Sequence, residues 1–564
     1  MASLIIKNGI VYDPANGIDG EKKDIFVKDG KIVENVDEKK AEIIDANNKV
    51  VMPGGVDSHS HIAGAKVNTG RIMRPEDSRR YAVGKGKITR SGTGDTVPTV
   101  DLTGYQYAQM GYTTVMEAAM PPLEAIHTHE EMMHIPIIDK GAYTVMGNNW
   151  FIMDYLRDGE IEKAAGYAAW LLRTVKGYGI KIVNPAGVEA WGWGKNVSSL
   201  DESIDNFDVS SREIIKGLAE VNELLELPMS IHLHANNLGR PGNYGVTVDS
   251  LKIPKGIKKK NPQREQTIYL AHALFNAYGG TSWRDFESGT KSITDYTNAN
   301  SHVVIDLGAV PFGSATSMTG DGPAQFNLHK LTGMKWSGKD IELETGSGIV
   351  PFDYLPRNPA HSVLWAIGLE LALFIDNPWQ VIMTTDHPNG GPFTKYPKII
   401  AWLMSSKARE DTFEKVHAWA TERSRIAETD RELSLYEIAI ITRATTSKTI
   451  GLGDRKGHLG IGADADISIY DINPAELNTD DYGEIEKKFS RAVYTIKDGE
   501  VVVRDGEIVK IPEGRTFWVN ASVDEDLEKE ILKDVKDSFR YYTVNFENYG
   551  VPMDYLPRSE EIVV

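Results

Sequence analysis

From about residue 52 to about residue 446, segments with the apolar pattern of a helix alternate with short β-rich runs. A helical segment at 161–176 precedes an apolar strand at 179–183, and an amphipathic segment at 211–225 precedes a strand at 228–234. Further strands are predicted at 267–271, 302–307 and 381–385. Strands that alternate with crossover helices form a parallel sheet. We therefore predict an α/β fold, a (β/α)8 barrel of the TIM type, over residues 52–446.

An open, doubly wound parallel sheet is the competing fold for the same alternation. Its dinucleotide-binding version carries a Gly-x-Gly-x-x-Gly turn directly after an early strand. This sequence has no such turn after an early strand, so the barrel is the preferred prediction.

Both ends of the chain are β-rich. Short strands are predicted within residues 3–34 and again within about 465–511. Sequences that favour two-residue hairpin turns punctuate them: Asn8-Gly9, Asp29-Gly30, Asp498-Gly499 and Asp505-Gly506. We predict one small β-sandwich domain built from residues 1–51 and 447–514. Residues 515–564, charged and then aromatic, form a C-terminal extension that is either a packed helix and arm or a docking element for a partner protein.

The composition excludes several classes of protein. The 564 residues include no cysteine, so disulfides, thiolate nucleophiles and cysteine-ligated zinc or iron–sulfur clusters are excluded within this chain. The net charge of −18 argues against a nucleic-acid surface, which needs clustered positive charge. The N-terminal apolar run is too short for a signal peptide, and no run approaches the roughly 18 apolar residues of a membrane span. We predict a cytoplasmic protein with no membrane span.

Two histidines follow the start of the first predicted barrel strand. His59 and His61 are two residues apart, so on a strand their side chains face the same side. At the C-terminal end of that strand they would point into the mouth of the barrel, where barrel active sites lie. Two neutral imidazoles on one strand chelate a divalent ion such as Zn²⁺ well. The alternative is a pair of structural histidines.

Other metal-ligand side chains end later strands in order. The strand at 228–234 ends in His234, the next ends in His272, and the last ends in Asp386. His232 faces the same way as His234 but one layer deeper, and we prefer His234 because it is nearer the strand end. Four strand ends with ligand side chains on a barrel pattern indicate a metal centre.

Lys181 lies inside the apolar strand Gly179-Ile-Lys-Ile-Val183. Burial of an ammonium group without a partner is unfavourable. Either the side chain reaches solvent at the strand end, or it has reacted with CO2 to form a carbamate whose two oxygens bridge two metals. Lys176 is a less suitable candidate because it falls on the preceding helix.

The order of these residues, with a β domain drawn from both termini, resembles the amidohydrolase superfamily with a binuclear metal centre. The chain is similar to one family within it, the catalytic A subunits of formylmethanofuran dehydrogenases and of formyltransferase/hydrolase complexes. The resemblance covers almost the whole chain. It is carried by Pro53-Gly-Gly-Val-Asp-Ser-His-Ser-His-Ile-Ala-Gly-Ala-Lys66, Gly177-Tyr-Gly-Ile-Lys-Ile-Val-Asn-Pro185, His232-Leu-His-Ala-Asn-Asn-Leu-Gly239 and Thr384-Thr-Asp-His-Pro-Asn-Gly-Gly-Pro392.

The resemblance implies roles for individual residues. It implies two divalent metal ions, of which zinc suits the donors, with the ligands His59, His61 and Asp386 at one metal, His234 and His272 at the other, and carboxylated Lys181 between them. Asp386 would also carry a proton from water to a departing amine. Four residues that follow the ligand strands are candidates for substrate binding, with a structural loop contact as the alternative: Asn236, Asn237, Arg240 and His387.

The reaction that the resemblance implies is the condensation of formate with methanofuran to N-formylmethanofuran, together with the reverse hydrolysis. Partner subunits carrying a tungsto- or molybdopterin and iron–sulfur clusters would make the formate from CO2, since this chain is expected to hold no pterin or iron–sulfur cluster. A stand-alone cyclic amidohydrolase, such as a hydantoinase or dihydropyrimidinase, is one alternative. A non-catalytic assembly protein on the same fold is another, and the complete set of six candidate ligands argues against it.

Overall fold

The computed structural model describes residues 3–339, 347–541 and 545–564. The strands of these residues are β1 (Ser3–Asp13), β2 (Ile18–Lys28), β3 (Lys31–Val33), β4 (Ala41–Asp45), β5 (Val50–Pro53), β6 (Gly55–Ser60), β7 (Ala82–Val83), β8 (Gly92–Thr93), β9 (Tyr112–Met120), β10 (Asp139–Val145), β11 (Gly179–Val183), β12 (Ile231–His234), β13 (Ile268–Leu270), β14 (Tyr278–Gly279), β15 (Glu287–Ser288), β16 (Val303–Asp306), β17 (Gly313–Thr319), β18 (Ser337–Lys339), β19 (Ser347–Tyr354), β20 (Val381–Ile382), β21 (Ile467–Tyr470), β22 (Tyr494–Lys497), β23 (Glu500–Arg504), β24 (Glu507–Ile508), β25 (Thr516–Asn520) and β26 (Ser559–Val563).

The α-helices of the same residues are α1 (Ala65–Met73), α2 (Asp77–Arg80), α3 (Val100–Gln109), α4 (Ala125–Met132), α5 (Trp150–Arg157), α6 (Ile161–Val175), α7 (Gly187–Gly192), α8 (Ser211–Leu224), α9 (Tyr244–Lys252), α10 (Thr290–Asn298), α11 (Gly322–Thr332), α12 (Pro359–Leu373), α13 (Tyr396–Met404), α14 (Ser406–Phe413), α15 (Trp419–Glu422), α16 (Leu435–Ala439), α17 (Thr445–Thr449), α18 (Tyr482–Ser490) and α19 (Glu525–Ser538). Within the described ranges, no helix is both long and apolar enough to cross a membrane.

Parallel strands form the predicted barrel. They pair in the order β6, β9, β10, β11, β12, β13, β16 and β20. The first and last strands meet where Ser60 bridges His387 in parallel register, and the backbone N–H of His61 donates to the carbonyl of His387 at 2.7 Å. All residues of β6, β9, β11 and β12 are buried, as expected for parallel strands covered by helices on one face and packed inside the barrel on the other. The (β/α)8 prediction is confirmed.

The two glycines after Pro53 carry the chain from the small sheet into the barrel. β5 ends at Pro53 and β6 begins at Gly55, so the chain changes sheets within two residues. A Cβ on Gly54 would lie 2.3 Å from the Thr113 hydroxyl oxygen, and one on Gly55 would lie 2.6 Å from the Tyr112 ring. Only glycine allows this close approach of the backbone.

The small β domain draws its strands from both ends of the chain, as predicted. Its described strands form one sheet in the order β24, β23, β22, β21, β5, β1, β2 and β3, with β4 pairing to β1. Its core contains apolar side chains from both ends, among them Ile6, Val27, Ile467 and Ile496.

One predicted hairpin turn is wrong. Asn8-Gly9 lies inside β1, where the register with β2 shifts between Ile6 and Gly9, so the pair forms a bulge and not a turn. Asn8 has a left-handed φ of 62°, and its N–H donates to Asp24 Oδ1 at 2.8 Å. The antiparallel partner strand fixes the chain as a strand despite its local turn preference.

Two further elements were not predicted from the sequence. Between β16 and α12, the strands β17, β19 and β18 form an antiparallel sheet with α11 packed on it; this insertion covers part of the barrel mouth. In the C-terminal extension, β25 pairs with β10 through Thr516 and Lys140, and β26 pairs with β25, so the barrel sheet gains two strands on its outside. Residues 542–544 of the aromatic tail lie outside the described residues.

Buried charges connect the small domain, the barrel and the C-terminal extension. Lys456 Nζ lies 2.6 Å from Asp139 of β10 and 2.5 Å from Asp466. Arg515, just before β25, lies 2.9 Å from Asp139 and 2.7 Å from Asp464. The opposite charges raise the pKa of Lys456 despite its burial. Each buried charge in this group therefore has partners of opposite sign.

Candidate metal centre

His59 and His61 are each held by a carboxylate on one side of the ring. His59 Nδ1–H donates to Asp306 Oδ2 at 2.7 Å, and His61 Nδ1–H donates to Glu117 Oε1 at 3.0 Å. The other ring nitrogen, Nε2, lies 3.0 Å from Asp386 Oδ1 for His59 and 3.3 Å for His61. A carboxylate on one nitrogen fixes the ring and leaves the other nitrogen free to bind a metal.

Asp386 is fixed by the turn that follows β20. Its backbone has a left-handed φ of 50°, and its carbonyl accepts the N–H of Asn389 at 2.6 Å. Oδ1 receives no hydrogen bond from any described residue although the two histidine nitrogens lie within 3.3 Å. The two histidine nitrogens and this oxygen approach one another without a hydrogen bond, and such an arrangement fits ligands that share one cation.

His234 and His272 form the other half of the cluster. His234 Nδ1 lies 2.9 Å from His272 Nε2, and His234 Nε2–H donates to Asp321 Oδ2 at 3.0 Å. The backbone N–H of His272 donates to Asp306 Oδ1 at 2.8 Å. The ligand atoms of His59, His272 and Asp386 all lie within 4.8 Å of one another. These residues therefore fit a metal site that combines both histidine pairs.

Lys181 is 2 % exposed and close enough to both halves of the cluster for its charge to act on His59 and on His272. Burial lowers the pKa of its ammonium group to about 7, against the opposing effect of the Asp386 and Asp306 charges. A large fraction of the side chain is therefore a neutral amine near neutral pH, and only a neutral amine reacts with CO2.

Both histidines of β12 reach the cluster, in different layers. Lys181 pairs in register with His232, whose Nδ1 lies 3.1 Å from Lys181 Nζ. The His232 ring packs against Tyr269 with the ring centroids 4.3 Å apart, and its Nε2 has no hydrogen-bond partner among the described residues. His234 lies one layer nearer the mouth, with a nitrogen facing His272.

The electrostatic potential within the cluster is negative and favours positive charge. The charges of Asp306 and Asp386 outweigh the effect of burial and raise the pKa of His59 to about 9. The neighbouring histidine charges, in turn, overcome burial and hold the pKa of Asp306 and that of Asp386 well below their usual range. A field that stabilises positive charge on His59 Nε2 also favours a divalent cation at the same position.

The four predicted substrate-binding residues have different surroundings. Asn236 donates to Asn184 Oδ1 and to the Pro185 carbonyl, both at 2.9 Å, in the loop that follows β11. Asn237 donates to the Ser198 carbonyl at 3.3 Å, and Arg240 is exposed. His387 is buried against Phe393, which lowers its pKa to about 3.

A cavity of about 370 Å³ opens beside Asp386. Most of its wall is apolar or aromatic, and the insertion supplies much of it through β17, α11 and β19. Within the described residues, none of the four predicted substrate-binding residues lines it. Its lining includes Leu238, Phe275, Tyr278, Trp283, Leu328, Phe352, Tyr354, His361, Leu364, Asp386 and Asn389.

Sequence reasoning missed the residues that orient the ligands. Asp306 ends the apolar strand β16, so the rule of acidic residues at strand ends identifies it in retrospect. Glu117 lies within β9, and Asp321 lies in the insertion, at the N-terminus of α11. No local sequence pattern identifies Glu117 or Asp321, because the histidine that each one contacts is more than 50 residues away.

The comparisons with known proteins agree with this geometry. The profile of the amidohydrolase family matches residues 42–503. Protein FwdA of Methanocaldococcus jannaschii is 58% identical over 98% of this chain and 97% of its own length. The A subunit of the formyltransferase/hydrolase complex Fhc of Methylorubrum extorquens is 36% identical over 98% of this chain and 97% of its own length. The crystal structure of that complex with methylofuran contains a chain that superposes with a TM-score of 0.88 and 35% identity, covering 100% of this chain and 99% of the other.

Proposed function

This chain belongs to the amidohydrolase family, within the group that contains FwdA and the A subunit of Fhc, and from that premise we propose that it is the A subunit of a formylmethanofuran dehydrogenase. It condenses formate with methanofuran to N-formylmethanofuran and catalyses the reverse hydrolysis. The observation that carries this proposal is the convergence of four histidines, Lys181 and Asp386 beside a cavity large enough for part of an aromatic amine.

The proposed metal centre holds two divalent ions, zinc by the nature of the donors. His59, His61 and Asp386 bind one ion, His234 and His272 bind the other, and carboxylated Lys181 lies between them. We retain His234 over His232 because its Nδ1 faces His272 while Asp321 engages its other nitrogen. When bound, such ions activate water and polarise a carbonyl oxygen.

Asp386 is the proposed proton carrier. Its low pKa keeps it ionised, so its carboxylate takes a proton from the attacking water and delivers it to the nitrogen of the departing amine. Hydrolysis converts R–NH–CHO and water into formate and R–NH3⁺, and condensation reverses every transfer. The turn that ends at Asn389 holds the Asp386 carboxylate in place in both directions of the reaction.

The cavity is the proposed site for the amine. Its aromatic and aliphatic wall suits the furan-containing body of methanofuran, whose reacting nitrogen would lie near Asp386. The structure of the Fhc complex contains methylofuran, which supports an amine of this class.

Formate is the other substrate, and we propose that partner subunits carrying a tungsto- or molybdopterin and iron–sulfur clusters supply it in the cytoplasm. The chain has no cysteine with which to ligate an iron–sulfur cluster of its own. The C-terminal extension, residues 515–564, is the proposed docking element for one of these partners.

The test is formate release by the purified native complex. We expect formate from N-formylmethanofuran in proportion to active metal centres, no opening of a hydantoin ring, and loss of activity in the Asp386→Asn variant. Co-purified subunits should contain a pterin and iron–sulfur clusters. Hydantoin hydrolysis by the chain alone, without formate release from the formamide, would identify a stand-alone cyclic amidohydrolase instead.

A further inference from the structure

Asn389 lines the cavity and carries a buried amide donor. The residue is 3 % exposed and lines the cavity together with Asp386. Its Oδ1 accepts the backbone N–H of Met318 at 2.6 Å and the Ser317 hydroxyl at 3.3 Å. Since a backbone N–H only donates, the oxygen of the amide must face Met318, and Nδ2 must face the other way.

Nδ2 of Asn389 has no hydrogen-bond partner among the described residues. Leaving a buried donor without a partner is unfavourable by about 1–3 kcal/mol, so such groups in folded proteins usually have a ligand or a function. The donor belongs to a residue whose oxygen is already fixed by two partners, so it cannot turn away from its position.

The same turn holds this donor and the carboxylate of Asp386. The N–H of Asn389 donates to the Asp386 carbonyl at 2.6 Å, and the N–H of Gly390 donates to the Thr385 carbonyl at 2.9 Å. A Cβ on Gly390 would lie 2.6 Å from the Ala309 carbonyl oxygen, so the turn packs closely on the loop after β16. In addition, the Tyr354 hydroxyl donates to the Asn389 carbonyl at 3.0 Å. The spacing of donor and carboxylate is thus set by the backbone.

We propose that Asn389 is a catalytic residue whose Nδ2 donates a hydrogen bond to the oxygen of the one-carbon unit, the formyl carbonyl in one direction and the formate carboxylate in the other. This inference rests on the proposed function and adds a substrate contact to it. A neutral amide suits this position, because a lysine or arginine there would form an ion pair with Asp386. The hydrogen bond strengthens as the carbonyl oxygen gains negative charge during attack, which is the condition for rate acceleration.

The roles of Oδ1 and Nδ2 of Asn389 can be tested separately by substitution. Asn389→Asp keeps the oxygen that accepts from Met318 and Ser317 but removes the donor; Asn389→Ala removes both. If the residue only supports the insertion, the aspartate variant, despite its added charge near Asp386, keeps more activity than the alanine variant. If the donor contacts substrate, both variants lose about 10²–10³-fold in kcat with unchanged metal content.

The matched control is Asn47→Ala, which removes an exposed amide from the small β domain, outside the cavity. We expect this variant to stay within about threefold of wild type. An Asn389→Asp complex with wild-type kcat, or one whose loss of activity follows a loss of metal, would overturn the inference.

Formate binding separates this inference from the proposed function. The affinity of the wild-type complex and of both Asn389 variants for sodium formate is measured by calorimetry, which needs no turnover. We expect at least tenfold weaker binding in both variants. If the wild type releases no formate from the formamide but the variants bind formate tenfold less well, the proposed reaction fails while the contact of Asn389 with formate stands. Equal formate affinity in wild type and variants, or no formate binding by the wild type, overturns it.

Discussion

At the scale of single residues, three of the four proposed histidine ligands have a carboxylate on the nitrogen that faces away from the centre. Asp306, Glu117 and Asp321 come from three different elements of the fold. Each carboxylate fixes which nitrogen of the ring carries the proton and therefore which nitrogen is available to a metal. The preference for one tautomer is thus built into the protein before any ion binds.

Asp321→Asn tests this orientation at His234. The amide oxygen of asparagine can still accept the N–H of Ala324, which caps α11 at 3.0 Å, but an NH2 group then faces His234 Nε2. The donor places the proton of the ring on Nδ1, the nitrogen proposed to bind metal. We expect zinc affinity at that position to fall about 10–100-fold, measured by competition with a chelator. Asp481→Asn, at the exposed N-terminus of α18, is the matched control and should bind two ions normally.

Lys181 gives a pH-dependent prediction. With a pKa of about 7, the neutral amine is about a tenth of the population at pH 6 and about nine tenths at pH 8. Because the neutral amine forms the carbamate, the rate at which metal-free protein regains two ions, in bicarbonate buffers adjusted to the same dissolved CO2 concentration, should rise over this interval. Metal uptake is followed by elemental analysis of desalted samples. A Lys181→Ala variant with the same bicarbonate dependence would contradict the proposed carbamate.

Sequence patterns indicated the proposed ligands more readily than the residues that contact them. His59, His61, His272 and Asp386 stand at strand ends, and a parallel barrel brings strand ends to one mouth whatever the details of packing. Asp321 and Asn389 act through tertiary contacts made by the insertion, and no local pattern records such contacts. The preference for His234 over His232 rests on side-chain contacts with His272 and Asp321 that the sequence does not show.

At the scale of elements, alternation in the sequence predicted the barrel because each helix needs an apolar face and each strand an apolar run. The insertion between β16 and α12 was not predicted, since its sheet pairs β17 with β19 across a helix and a further strand. The addition of β25 and β26 to the barrel was not predicted either. The sequence of a strand does not indicate that it pairs with a strand more than 370 residues away. Asn8-Gly9 is the reverse case: the local sequence favours a turn, but the pairing of β1 with β2 makes the segment part of a strand.

Gly55→Ala tests the crossing from the small sheet into the barrel. The new methyl group would lie 2.6 Å from the Tyr112 ring, which is buried and cannot move freely. Overpacking of this kind costs about 1–3 kcal/mol, so we expect a lower midpoint of urea unfolding. The control is Gly192→Ala at the end of α7, where a Cβ would meet nothing within 4 Å. Equal midpoints for the two variants would show that the crossing tolerates a side chain.

At the scale of the whole molecule, the buried charges around Asp139 hold three parts of the chain together. Asp139 belongs to the barrel, Lys456 and Asp464 precede the returning strands of the small domain, and Arg515 begins the C-terminal extension. A buried pair stabilises little by itself, but the loss of one member leaves a charge without compensation.

Lys456→Met therefore tests how the three parts are joined. The methionine fills a similar volume but leaves Asp139 and Asp466 with fewer cations, at a cost of about 3–5 kcal/mol. We expect earlier thermal unfolding and faster proteolysis of the C-terminal extension. Lys529→Met, on the exposed face of α19, is the control and should leave both measurements unchanged. Unchanged proteolysis in the Lys456 variant would show that the extension is anchored elsewhere.

The closure of the barrel between His61 and His387 has a consequence for the order of events on the ribosome. The proposed ligands begin at residue 59 and end at residue 386, and the strands that carry the first and the last of them meet only when both have been made. A nascent chain shorter than this cannot assemble the centre, and β10 acquires its outer neighbour only after residue 516 has emerged. Metal binding at the proposed centre therefore requires the chain to have emerged beyond residue 386 of 564, and any factor that delivers the metal would act after that point.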